Sequence, residues 1–138
     1  DWRYAMAEIT SSLEDYIETV YSIYSKEHKV RAIDVSRKLN VSRASVTEAL
    51  QKLEQLGLIN YGHYGAISLT DDGEKKAKEI IEKHETLTMF FRDILKIERK
   101  LAEETACKIE HVISKRILNK WKKHIKNCLE NEQKKTKN

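Results

Sequence analysis

The chain has 138 residues and contains no proline, four glycines and two cysteines. Without proline, chain reversals must come from glycine and from polar capping residues. Cys107 and Cys128 are too few for a disulfide framework, so a reducing cytoplasm is the expected compartment. No stretch approaches the roughly 20 apolar residues of a membrane helix. No secretory signal is recognised ahead of the first amphipathic segment. Hydrophobic residues make up 40% and charged residues 35%, which leaves enough apolar side chains for a modest core and excludes wholesale disorder. The length implies one compact domain or two small ones.

The net charge of +4 is unevenly spread. Residues 120–138 hold seven lysines against two glutamates, residues 1–25 sum to −4, and residues 26–56 sum to +3. Overall basicity is therefore mostly a property of the C-terminal segment. The informative feature is a basic segment beside an acidic first helix, whose excess carboxylates a bound cation would neutralise.

All four glycines, Gly57, Gly62, Gly65 and Gly73, fall within 17 residues. The chain on either side reads as mainly helical. Residues 12–26 carry Leu13, Tyr16, Ile17, Val20, Tyr21 and Tyr24 at helical spacing, with Ser11 or Ser12 as the expected cap. A short helix over 32–39 buries Ile33, Val35 and Leu39, and Asn40 suits a left-handed C-cap. Ser42 caps a third helix that Gly57 stops. Two strands over 58–61 and 66–69 flank a glycine-bounded tip, and Thr70 caps the next helix. Further helical stretches are predicted over 87–95, over 98–118, and around Trp121, Ile125 and Leu129, with fraying from residue 131.

Helix, short helix, turn, helix and hairpin is the order of a winged helix-turn-helix, whose second motif helix enters the DNA major groove. At about 100° per residue, Val46, Ala49, Leu50 and Leu53 share the core-facing arc of the third helix. Ala44, Glu48 and Gln51 occupy the opposite arc, flanked by Ser45, Thr47 and Lys52. That small, polar face lets backbone approach base edges. Ser42, Ser45 and Thr47 at the helix N-terminus can bond phosphates. Gln51 can pair with adenine, and Glu48 can accept from a cytosine amine. Arg31, Arg43, Lys52, His63 and Tyr64 are candidate backbone contacts. The competing reading of each is a solvated surface side chain.

A second group has metal-ligand chemistry. Asp15 and Glu18 share a face of the first helix beside its apolar stripe. Cys107, Glu110 and His111 stand at i, i+3 and i+4 later in the chain, and His84 lies between these groups in sequence. Thiolate, carboxylates and imidazoles from three helices can bind a divalent first-row metal. The alternatives are a core cysteine, a dipole-serving Asp15 and an ion-paired Glu110. His28, His63 and His124 read as surface, and Cys128 as inert.

The chain resembles the diphtheria toxin repressor family, especially its short manganese-transport-regulator branch. The likeness runs over residues 11–129. It is carried by Glu14-Asp15-Tyr16-Ile17-Glu18, Val41-Ser42-Arg43-Ala44-Ser45-Val46-Thr47, Lys52-Leu53-Glu54-Gln55-Leu56-Gly57-Leu58, Leu69-Thr70-Asp71-Asp72-Gly73, Lys83-His84-Glu85 and Ala106-Cys107-Lys108-Ile109-Glu110-His111. The resemblance implies a homodimer that binds palindromic operators when loaded with Mn(II) or Fe(II) and represses metal-uptake genes. Asp15, Cys107, Glu110 and His111 match one metal site of the family. Glu18 and His84 match positions completing a second, which the acid matching Glu110 can bridge. The implied architecture is mainly α, with a winged helix-turn-helix over 1–72 and a helical dimerisation and metal-binding domain over 73–138. The resemblance to the short branch leads to the expectation of no SH3-like domain of the kind that the longer iron branch adds.

Two departures define a hybrid site. The manganese branch has Glu where this chain has Cys107, and the iron branch has Met where it has Asp15. Thiolate favours Fe(II), Co(II) or Zn(II), while the carboxylates and imidazoles accommodate Mn(II). Glu48 also departs from the family, placing negative charge on the reading face. The expected mechanism is a clamp, in which metal ties the first helix to the helices after the wing and so sets the spacing of two recognition helices. Phe90, Phe91, Ile94, Leu95 and Ile113 are candidates for the dimer interface. The rivals are a winged-helix sensor of an organic ligand near Tyr16, Tyr21 and Phe90, a protein-interaction module, and a metalloenzyme. An enzyme is not expected, because the glycines serve the wing and leave no substrate loop.

Overall fold

The computed structural model describes residues 10–137, so expectations for residues 1–9 lie outside the described residues. The elements are α1 (Ser11–Glu27), α2 (Ala32–Leu39), α3 (Arg43–Gln55), β1 (Ile59–Tyr61), β2 (Ile67–Leu69), α4 (Asp71–Met89), α5 (Arg99–Ile109) and α6 (Lys115–Thr136). Among the described residues they form two compact units, one ending at Glu79 and the other beginning at Ile80, inside α4.

In the first unit, caps set the helix boundaries. Thr10, rather than Ser11 or Ser12, caps α1: its backbone is extended and its side chain accepts from the Leu13 amide at 3.2 Å, whereas both serines are already helical. Asn40 ends α2 at φ 54°, and Ser42 caps α3 through the Ser45 amide at 3.1 Å. Ile17, Val20, Val35, Val46, Leu50 and Leu53 are fully buried, as the arc of α3 requires. Ile33 and Leu39 are only half-buried, since Ala32 and Val35 form the inner face of α2.

Strands β1 and β2 pair antiparallel, with Ile59 opposite Leu69 and Tyr61 opposite Ile67. Val30 bridges to Ile67 from outside the hairpin. The hairpin base is fastened to α3 and to the turn that follows it. Glu54 Oε2 accepts from the Tyr61 amide at 2.7 Å, and Thr70 Oγ1 donates to the Gly57 carbonyl at 2.7 Å while accepting from the Gly73 amide at 3.0 Å. The tip is a short 3-10 turn, His63–Gly65, with Tyr64 fully exposed at φ 66°.

In the second unit, Leu87, Phe91, Ala102, Ala106, Ile113 and Leu118 form the core, covered by Phe90, Ile97, Ile109 and Trp121. The Phe90 ring meets Phe91 at 5.5 Å and Trp121 at 4.8 Å, both edge-on. Phe91 and Ile113 are thus buried in the chain's own core, and Phe90 packs against it, partly buried. Ile94 is half-buried and Leu95 exposed.

Three helix boundaries differ from the sequence expectation. Residues 87–95 are not a separate helix: α4 runs on into a π turn, Phe90–Ile94, where the Leu95 amide reaches back to the Phe90 carbonyl at 3.1 Å. The predicted helix over 98–118 is broken. Ser114 caps α6 through the Ile117 amide at 3.2 Å, although apolar spacing runs straight across the break. Finally, α6 continues to Thr136 and does not fray at 131. Lys134 and Lys135 in its last turn complement the helix dipole.

Candidate metal centre

Four of the predicted ligands lie in the second unit. His84 comes from α4, Cys107 from the last turn of α5, Glu110 from its C-cap, and His111 from the turn before Ser114. Helical spacing points 107, 110 and 111 the same way. Cys107 Sγ stands 3.6 Å from His84 Nδ1, and Glu110 Oε2 lies 2.6 Å from that same nitrogen. Glu110 Oε1 is 3.6 Å from His111 Nε2. One donor atom each from His84, Cys107 and Glu110 lies within 4.8 Å of the other two.

These spacings suit one cation. Around a tetrahedral ion with bonds of about 2.0–2.3 Å, neighbouring donors stand roughly 3.3–3.6 Å apart. The sulfur–nitrogen gap already has that size. The Glu110–His84 gap is shorter because it holds a hydrogen bond, whose proton an entering metal would displace.

Glu110 is the electrostatic focus. It is 1% exposed, and burying a carboxylate costs several kcal/mol of solvation unless positive charge or donors compensate (order of magnitude only). Each of its oxygens has an imidazole beside it, but imidazole carries charge only when protonated. A divalent ion supplies the charge without that requirement. Cys107, in contrast, is exposed, which gives the site an open side.

Lys83 is a supporting residue that sequence reasoning overlooked. Its Nζ donates to the Ile113 carbonyl at 2.9 Å and so pins the 110–113 turn to α4. Its place in the Lys83-His84-Glu85 stretch was the available signal. Asp15 and Glu18 belong to the first unit, on α1, where they line a hollow with Thr19, Ser22, Lys38 and Leu39. Cys128 also differs from expectation. Its Sγ lies 3.4 Å from His124 Nε2, so neither residue lacks company.

The candidate DNA contacts on α3 are mostly exposed. Arg43, Ala44, Ser45, Glu48, Gln51 and Lys52 are exposed on α3, with Thr47 half-buried. Several have internal partners. Ser42 Oγ caps the helix and donates to Ser45 Oγ at 2.9 Å, Thr47 Oγ1 donates to the Arg43 carbonyl at 3.0 Å, and Lys52 pairs with Glu48 at 3.2 Å. Lys52 thus offsets the negative charge of Glu48 on the exposed face of α3. Arg31 forks onto Asp34 at 3.1 and 3.2 Å. Hydrogen bonding from Arg31 holds the Asp34 carboxyl below the usual carboxylate range and raises the guanidinium in turn. His63 contributes its backbone to the wing-tip turn, and Tyr64 projects beside it.

Comparison with known proteins gives a consistent picture. The N-terminal DNA-binding domain of the iron-dependent repressors matches residues 8–67, and the metal-binding and dimerisation domain of those repressors matches residues 70–137. An uncharacterised HTH-type transcriptional regulator of Methanocaldococcus jannaschii is 36% identical over 115 residues, covering 83% of this chain and 92% of that protein. The HTH-type transcriptional regulator MntR of Lysinibacillus sphaericus is 35% identical over 105 residues, covering 76% and 75%. The crystal structure of IdeR from T. acidophilum superposes with a TM-score of 0.71 at 26% identity. The match covers 80% of this chain and 52% of that one, so the chain spans about half of the solved structure.

Proposed function

The chain belongs to the iron-dependent repressor family, and on that premise we propose that a divalent metal held by Glu110, His84, Cys107 and His111 switches on its binding to operator DNA. The family consists of metal-dependent transcriptional regulators and not of enzymes. The observation that carries the proposal is the buried Glu110 carboxylate, gathered with His84 and Cys107 at metal-ligand spacing. Asp15 and Glu18 are proposed as further ligands from the sequence pattern. The metal would supply fixed charge and fixed ligand angles, while the protein residues orient one another for it.

The proposed protein acts as a homodimer in the cytoplasm, reads a palindrome, and controls metal-uptake genes. Residues 1–72 form its DNA-binding domain and 73–138 its dimerisation and metal-binding domain. Arg31, Ser42, Arg43, Ser45, Thr47, Lys52, His63 and Tyr64 are proposed to position the backbone. Ala44, Glu48 and Gln51 face the bases. No described helix is long and apolar enough to cross a membrane. The test is selection from a random duplex pool, under anaerobic reducing conditions, with Mn(II), Fe(II), Co(II) or Zn(II) or without metal. A palindrome enriched only with metal is the expected result; equal enrichment without metal would overturn the reading.

Two smaller effects follow. Cys107→Glu exchanges a soft ligand for a hard one and is expected to shift the Mn(II)-to-Zn(II) affinity ratio toward Mn(II) by about tenfold, measured by competitive titration. Asp34→Ala releases the Arg31 fork. Affinity for the selected duplex is expected to rise a few-fold, and the slope of log affinity against log salt to steepen by about one unit if Arg31 reaches a phosphate. An unchanged slope would assign Arg31 to the surface alone.

A further inference from the structure

We infer that the exposed side of α6 carries a second metal site, built on His124 and Cys128, that takes a soft divalent ion such as Zn(II). The two residues stand one helical turn apart, and His124 Nε2 lies 3.4 Å from Cys128 Sγ. That spacing is within about 0.2 Å of the nitrogen–sulfur separation around one tetrahedral ion with bonds of about 2.05 and 2.3 Å. A metal would take the place of the hydrogen bond now in the gap. Binding forms an Sγ–metal and an Nε2–metal bond and releases the thiol proton to solvent. Water fills the remaining positions.

The surroundings favour this assignment over a packing pair. Ile125 turns inward and is buried, so the interior contacts of this stretch of α6 do not depend on His124. His124 is exposed and Cys128 half-buried, which leaves the pair open to an ion from solvent. The helix is anchored by the Ser114 cap and by Leu118, so both side chains project from a fixed backbone. The donor set also differs in kind from the main centre. It contains no carboxylate. Hard ions that need oxygen ligands find none in the pair, whereas a nitrogen–sulfur pair selects Zn(II), Co(II) or Cd(II) over Mn(II). The site stands independently of the proposed function.

Co(II) titration of the full chain under anaerobic conditions provides the test, because thiolate ligation gives a sulfur-to-cobalt charge-transfer band in the near ultraviolet. Cys107→Ser serves as the background, leaving Cys128 as the sole thiol. In that background, the band should saturate at one Co(II) per chain and bleach on adding Zn(II), but not on adding equal Mn(II). Adding Cys128→Ser should abolish it, and adding His124→Ala should weaken Co(II) binding at least tenfold. No band in the Cys107→Ser chain, equal bleaching by Mn(II), or unchanged affinity after His124→Ala would each overturn the inference. Circular dichroism of each variant separates ligand loss from unfolding.

Discussion

Replacing Glu110 with alanine is expected to weaken metal binding by at least about a hundredfold, since even outer-shell partners of metal ligands are worth 10–100-fold. Glu110 touches both imidazoles, so its removal dissolves the ligand cluster instead of trimming one arm. The same substitution should not unfold the metal-free chain. Removing a carboxylate that is 1% exposed also removes its solvation cost, which offsets the lost hydrogen bond. The diagnostic is the thermal midpoint with and without Zn(II) or Mn(II). The parent chain should gain stability with ion concentration, because a ligand that binds only the native state shifts unfolding. The Glu110→Ala chain should gain little. A full metal-induced shift in the variant would remove Glu110 from the centre. If metal binding strengthens operator binding, the variant should also need a correspondingly higher metal concentration to reach metal-dependent DNA affinity.

Gly73→Ala is the second large effect. A Cβ at this position would overlap the Leu58 carbonyl oxygen and stand 2.8 Å from its carbonyl carbon. Both obstacles are backbone, so no rotamer change relieves them. The Leu58 carbonyl also accepts the Thr70 amide at 3.1 Å, and Thr70 in turn caps the start of α4 and bonds Gly57. Displacing Leu58 therefore loosens the hairpin base and the cap together. The expected destabilisation is about 3 kcal/mol, the upper part of the range for overpacking, read from urea unfolding of the metal-free chain. Gly62→Ala is the control. Its nearest neighbours lie at 3.8 and 3.9 Å and its backbone is extended, so it should change stability by less than about 0.5 kcal/mol. Equal losses at the two positions would mean that the close approach at Gly73 is relaxed in solution.

Gly73 also shows how sequence and structure divide the information. From sequence it is a turn glycine opening a helix. In the structure its φ is not in the left-handed region; the residue is required because another backbone passes close to it. A contact between residues 58 and 73 has no local signature. The π turn at 90–94 is similar. Two adjacent phenylalanines read as an ordinary amphipathic stretch, and the wider turn appears where Phe90 packs against Trp121 and Phe91 joins the core.

Helix α3, its Ser42 cap, the Asn40 and Gly57 stops and the wing were legible because each depends on interactions within a few residues: side-chain periodicity, a cap three positions away, a permitted positive φ. The Cys107, Glu110 and His111 grouping was legible for the same reason, as one turn of helix presents them together. Tertiary structure alone decided how closely the expected ligand His84 approaches Cys107 and Glu110, that Lys83 braces the cluster, and that apolar spacing through residues 98–118 is interrupted at Ser114. Those outcomes follow from which helices share the core of the second unit. Hydrophobic packing is non-directional, so sequence periodicity names the buried faces without naming the faces they meet.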